Sequence, residues 1–472
     1  MSVFTLLIWF VIDRGKELTP NVSKITTFIQ NVKPSEKVAF VPEENFTTQV
    51  IHNVESPLGL LLLQIITILL VSKFFGVIIG KIRQPSVIGE MIAGIVLGPS
   101  ILGFIFPEFS SFLFPKSSLN NLQFLSQIGL AFFMFIIGME LDLSKLKNKA
   151  HNALVISHAS IIFPYFLGVL VSYFIYEQFA PSNVSFLSFA LFMGIAVSIT
   201  AFPVLARILQ ERNLTKTSLG TMVLTCAAAD DVTAWCILAA VIAIIKAGSI
   251  ISAVFTIFLA VAFVLFMAYI VRPWIKMISN KYANTEQLSK TLMILVFFIM
   301  LFSAFVTEAI GIHALFGAFL AGVIMPQNAK FKSVVANKIE DVSVLLLLPI
   351  FFAFTGLRTQ IGLLNEGHLW LTCGIIIFIA VLGKFAGSTF AAKSVGISWK
   401  DSLSIGALMN TRGLMELIVL NIGYDLGILS PSIFAIMVLM ALVTTFMTGP
   451  SLDVIEYLFK KKSAKEVLKT GV

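Results

Sequence analysis

The sequence predicts an all-α integral membrane protein of about thirteen transmembrane helices. Three observations carry this: an apolar composition, a series of long apolar runs, and basic residues gathered on one side of them. Of 472 residues, 58% are hydrophobic and 12% charged, against roughly 45–50% and about 25% in soluble domains. The formal net charge of +8 does not point to nucleic acid, because the basic residues stand singly in short loops without a stripe or aromatic-interleaved patch. Cys226, Cys236 and Cys373 lie in apolar stretches without metal-ligand or disulfide spacing and read as small packing residues.

Runs long enough to cross roughly 30 Å of hydrocarbon fall at about 57–79, 85–105, 120–141, 152–176, 184–209, 217–245 and 250–271, then at 290–309, 311–326, 341–357, 368–392, 401–423 and 431–452. Charged loops bound most of them: Lys81 closes the first, Lys145 follows the third, Arg207 and Arg212 end the fifth, and Lys216 and Lys246 bracket the sixth. Arg272 ends the seventh, Lys290 opens the eighth, Arg358 follows the tenth, and Lys393 and Lys400 separate the eleventh from the twelfth. The shortest, 311–326, is bounded by Gly311 and Pro326, and its Gly-rich body requires packing against protein. Alternating the loops puts Lys and Arg about 22 to 3 in favour of one side. Basic residues accumulate in the cytoplasm, so the N-terminus is expected outside and the C-terminus inside, with a bacterial inner (plasma) membrane the expected location. Residues 1–56 read as an extracytoplasmic polar tail; its start, MSVFTLLIWFVI, is too short to span and lacks a basic leader. Residues 456–472 read as a short cytoplasmic tail, and the chain has no GxGxxG for a nucleotide-binding domain.

The chain repeats itself. GEMIAGIVLGP (89–99) is echoed by GAFLAGVIMP (317–326), and FFMFIIGM (132–139) by FFAFTGL (351–357), in the same order. Six spans, a linker span and six more start the second copy on the opposite face, which is the inverted-repeat pattern of secondary transporters.

Two carboxylates interrupt the sixth span. Asp230 and Asp231 in TCAAADDVTAWCIL sit at its midpoint, where each costs roughly 2.5–3.5 kcal/mol to insert. Adjacent helical residues point about 100° apart, so the two face different neighbours and titrate as a coupled set. Lys384 in VLGKFAG lies about nine residues before Lys393, roughly 13 Å deeper along a helix. Snorkelling from there stretches a lysine, so an intramembrane acidic partner is expected. Two spans read as broken: one holds Ser198, Thr200 and Pro203, the other Asn410, Thr411, Arg412 and Gly413. Both occupy the fifth position of their repeats, where a transporter's binding site is placed. Arg412 and Glu416, four apart, read as a mutually neutralising pair. Glu90, in the first turns after Pro85, is open between a helix N-terminal role and gating. His158 and His313 read as interfacial hydrogen-bonded residues rather than ligands.

AVSITAFPVLARIL, AAADDVTAW, LGKFAG and MNTRGLMELIVLNIG together resemble the monovalent cation:proton antiporter-2 family, over about 57–455. The resemblance implies the sodium/proton antiporter fold, with two inverted repeats and crossed discontinuous helices. A six-helix core (about 152–245 and 368–452) would move against a dimerisation domain (about 57–141 and 290–357), joined by a linker helix (250–271), in an elevator-like homodimer. It implies Asp231 as the site for Na+, K+ or a proton, Asp230 as the partner of Lys384, and contributions near Thr200 and Asn410. The implied partners are membrane lipid, the transported ions and a second copy of the chain; no cofactor or enzymatic activity is implied. The TAFPVLARIL and NTRGLMELIVLNIG flanks resemble the K+-linked branch and the acidic pair the Na+-linked one, which leaves open a K+-selective, electroneutral exchanger of the same fold. An intramembrane aspartyl protease needs acids converging from separate helices, unlike this pair. A cation channel also uses acidic residues and broken helices, but does not require Lys384 among the site's carboxylates.

Overall fold

The computed structural model describes residues 53–82, 84–140, 150–215, 217–246, 250–282, 290–326 and 328–470. The N-terminal tail, apart from residues 53–56, lies outside them. The chain divides into residues 1–59 and 60–472; in the first, the described part is the approach to and start of a helix at Pro57, and the site lies wholly in the second.

The chain order is α1 (Pro57–Lys81), α2 (Ser86–Leu97), the short α3 (Leu102–Ile105) and α4 (Pro107–Leu113), then α5 (Leu119–Glu140), α6 (Ala150–Phe179), α7 (Phe186–Ser198), α8 (Phe202–Glu211) and α9 (Ser218–Lys246). There follow α10 (Ile250–Phe266), α11 (Arg272–Tyr282), α12 (Lys290–Ile310), α13 (Ala314–Val323), α14 (Ala329–Glu340), α15 (Leu348–Arg358), α16 (Gly367–Val381), α17 (Gly387–Ser394), α18 (Trp399–Met409), α19 (Leu414–Asp425) and α20 (Pro431–Thr470). Among the described residues, eleven helical stretches are long and apolar enough to cross a membrane. The broken pair α7/α8 and the short apolar α13 stand where the other two of the expected thirteen spans fall.

Wide-turn π segments, which the apolar pattern gave no sign of, join α10 to α11 (Met267–Val271), α14 to α15 (Asp341–Leu347) and α16 to α17 (Leu382–Ala386). Such bulges inside α-helices are frequent at functional sites, and the third carries Lys384.

Two groups of helices pack internally. In one, α6 touches α7, α9 and α17, while α18 touches α17 and α20. In the other, α2 packs on α15 and α13 on both α5 and α12. Between them, α10 touches α9 and α12. Only 6% of the stretch through α10 is buried, against 94% through α18 and α19, so the first lies on the outside of the bundle and the second in the protein interior. Cys236 is exposed rather than packed, a correction to the uniform packing role expected of the cysteines; Cys226 and Cys373 are buried.

The echoed motifs meet across the repeats. A Cβ on Gly94 would stand 2.3 Å from the Phe352 carbonyl oxygen, and one on Gly322 2.1 Å from the Phe135 carbonyl oxygen. GEMIAG of the first copy therefore presses on FFAFTG of the second, and GAFLAG of the second on FFMFIIG of the first. Glycine lets these backbones approach where any side chain would hold them apart, and the exchange of partners is what an inverted repeat produces.

The two half-helix pairs cross at their breaks, where the Ala201 N–H donates to the Thr411 carbonyl at 3.0 Å. In the first pair the unwound stretch is residues 199–201. Pro203 stands in the opening turn of α8, so it starts the second half-helix rather than kinking a continuous one; a first-turn N–H needs no helical acceptor. In the second pair Gly413 adopts φ 148°, and a Cβ there would lie 2.9 Å from Val204 Cγ2, so the crossing needs glycine for both conformation and space.

Candidate ion site

Asp230 and Asp231 lie in the middle of the unbroken α9, 0% and 1% exposed. Their directions on the helix diverge, and so do their surroundings. Asp230 Oδ2 accepts from the Ser160 hydroxyl of α6 at 2.5 Å, from the Thr200 hydroxyl at the first break at 2.8 Å, and from Lys384 Nζ at 3.2 Å. Lys384 also donates to Thr200 Oγ1 at 2.5 Å. Four side chains from α6, the break, α9 and the π turn thus close one network. The lysine is fully buried, and these oxygens are the partners an ammonium needs there; an unpaired one at this depth would be prohibitive.

Asp231 is different. Both of its carboxylate oxygens are buried and neither has a side-chain hydrogen-bond partner; the backbone N–H of Phe202, in the first turn of α8, faces the carboxyl. Asn410, at the C-terminal end of α18, likewise presents a buried Oδ1 with no partner. A buried acceptor without a donor is costly, and a carboxyl in that position is satisfied by a bound proton, a cation or a water.

The remaining residues singled out in the sequence mostly serve the breaks. Arg412, fully buried, donates Nη1 to the Ala196 carbonyl at 3.2 Å and to Glu416 Oε2 at 3.0 Å, and Nη2 to the Val197 carbonyl. It therefore neutralises the carbonyl end of α7, while Glu416 sits in the first turn of α19 where a helix favours an anion. Ser198 donates back to the Ile195 carbonyl at 2.9 Å and Thr411 pairs with Thr448 at 3.2 Å, so neither hydroxyl joins the Asp230 network. Glu90 belongs to α2, outside that network, with one buried oxygen unpartnered. His158 bonds the Leu154 carbonyl at 2.8 Å, and His313 opens α13 by accepting from the Leu315 N–H at 3.4 Å.

Sequence reading missed Ser160, a serine in an apolar helix with no local pattern to mark it. It also missed a set of contacts near the ends of α15 and α19. Arg358 donates to Asp425 at 2.7 Å and to Asn421 at 3.3 Å, Asn421 donates to Thr355 at 2.8 Å, and the Arg358 guanidinium lies 4.1 Å from the Phe354 ring centre. The crevice beside them holds about 20 Å³. On the Lys/Arg-rich side of the bundle, a cavity of about 930 Å³ opens among Gln84, Ile208, Arg212, Lys400, Ser404 and Asp453. Neither Asp230 nor Asp231 lines it, so the acidic pair is occluded in this conformation.

Crossed broken helices, an inverted repeat and a buried acid–lysine network at the crossing define a membrane transporter of the exchanger class. The sodium/hydrogen exchanger transmembrane family matches residues 65–456, and the chain belongs to that family. It is 43% identical to the Na(+)/H(+) antiporter NhaS4 of Synechocystis over 392 residues, covering 83% of this chain and 96% of that one. It is 35% identical to the K(+)/H(+) antiporter 1 of Saccharomyces cerevisiae over 409 residues, covering 84% of this chain and 46% of the yeast protein, of which it spans about half. The sodium proton antiporter MjNhaP1 of Methanocaldococcus jannaschii shares the fold, with a TM-score of 0.57 at 15% identity over 81% of this chain and 92% of that one.

Proposed function

We propose that this chain is a secondary active antiporter that exchanges Na+ and/or K+ for protons, the two competing for the Asp231 carboxylate. The observation that carries the reading is the asymmetry of the acidic pair: Asp230 is held by Lys384 and two hydroxyls, while Asp231, its neighbour, has no side-chain partner. A site occupied by either a cation or a proton, never both, couples their movements without further machinery. Lys384 stabilises Asp230 when Asp231 is empty and screens the second charge, and Thr200 and Asn410 flank the site from the two breaks. Relatives named as Na(+)/H(+) and K(+)/H(+) antiporters support both cations.

The access mechanism in this reading is of elevator type. Helices α6 to α9 and α16 to α20 carry the site against α1 to α5 and α12 to α15, with α10 as the linker and a homodimer built on the second group. The wide cavity on the basic side, taken as cytoplasmic, and the Arg358–Asp425 and Asn421–Thr355 contacts at the other end are what an inward-facing, externally closed conformation requires.

The test is exchange in proteoliposomes with an imposed pH gradient, monitored with a pH dye as Na+, K+ and Li+ are added in turn. Cation-dependent collapse of the gradient is expected for the wild type and its loss in a folded Asp231→Asn variant. Wild-type exchange by that variant overturns the site, and cation flux without proton movement identifies a channel.

A further inference from the structure

Trp235 stands one turn beyond Asp231 on α9, and no role above uses it. Helical side chains lean toward the N-terminus and cover the residue four positions earlier, so the indole lies over the face of α9 that carries Asp231. The ring is 3% exposed and stacks on Phe319 of α13, with centroids 6.3 Å apart and planes inclined by 23°. Phe319 is itself 4% exposed, on the helix whose Gly322 is pressed against Phe135 of α5. The indole therefore spans the seam between the two helix groups, on the side of Asp231 away from the large cavity.

A phenylalanine would fill this seam equally well by stacking. What tryptophan adds is an N–H, and that group is buried with no acceptor. An indole N–H only donates, so its partner must be an acceptor and cannot be the cation. The acceptors without a side-chain donor nearest along α9 are the two oxygens of Asp231, one helical turn away, and Oδ1 of Asp230 beside it; Oδ1 of Asn410 at the break is a further one. Carboxylate and amide oxygens are cation ligands, but too few of them are present to replace a hydration shell. A cation seated on Asp231 keeps water, and that water needs a donor or acceptor on its far side.

Resting on the antiporter reading, the geometry points to Trp235 as a positioning residue of the ion site: its ring closes the site against Phe319, and its N–H donates to a water retained on the bound cation. The donor sets cation affinity without touching the ion, and the ring is the element that must part from Phe319 when the site turns outward.

Trp235→Phe keeps the ring stack and deletes the donor. In the proteoliposome assay it is expected to raise the KM for the transported cation roughly threefold to tenfold, the loss of one hydrogen bond, with kcat within about twofold of wild type. Cation-induced thermal stabilisation of the detergent-solubilised protein moves to higher cation concentration by the same factor, a readout independent of transport. Phe319→Leu loosens the stack and keeps the donor, so its KM rises by less than that of Trp235→Phe. An unchanged KM in Trp235→Phe overturns the proposal, as does a KM rise in Phe319→Leu as large as that of Trp235→Phe, which would assign the effect to packing. Where Trp235→Phe does not fold, Trp235→Leu is read by the same cation-dependent stabilisation. Persistent exchange in Asp231→Asn defeats the parent reading; its loss there, with KM unmoved in Trp235→Phe, defeats only this inference.

Discussion

Lys384→Met tests the network at its most expensive point. The lysine and its Asp230 partner are 0% and 1% exposed, so neither can turn to water once the other is gone. Ser160 and Thr200 already donate to Asp230 Oδ2 and cannot stand in for the ammonium, whereas methionine fills most of the vacated volume and limits the cavity penalty. Removing one partner of a buried pair costs about 3–5 kcal/mol, and removing both with apolar or neutral isosteres is near neutral. Domains of about 150–250 residues lose about 2–4 °C of Tm per kcal/mol and larger chains less, so a drop of roughly 5 °C in detergent is expected. Asp230→Asn/Lys384→Met should recover most of the lost Tm. A single variant within about 1 °C of wild type, or a double variant no more stable than the single, refutes the network as the structure places it.

Thr355→Cys/Asn421→Cys joins the two helix groups where their side chains now bond at 2.8 Å; cross-linking should stop exchange and reduction restore it, measured on the same vesicles. Arg412→Lys cannot keep the forked contacts to the Ala196 and Val197 carbonyls and Glu416, and should lower thermal stability by about 2 kcal/mol or more, read by the fraction of monodisperse protein after heating. Gly94→Leu and Gly322→Leu place side chains against the Phe352 and Phe135 carbonyls, and each should abolish folded expression, read by fluorescence-detected size exclusion, whereas Gly374→Leu, with nothing within 4 Å of its Cβ, should not.

Much of this molecule is one-dimensional. Hydrocarbon has a fixed thickness and cannot hydrogen-bond a backbone, so run length located the helices. The polar runs around Thr200 and Asn410, the adjacent acids and the deep Lys384 were conspicuous because each is so costly at that depth. Tertiary structure alone decided which oxygen each cost is set against. Ser160 reaches Asp230 from seventy positions away, and Pro203 starts α8 rather than bending a helix because the chain unwinds ahead of it. Arg412 holds the end of α7 as well as Glu416, and Trp235 meets Phe319 only because the inverted repeat brings α13 across the bundle. Local sequence carries the penalty of a buried polar atom, whereas its partner is fixed by long-range packing, which no window along the chain contains.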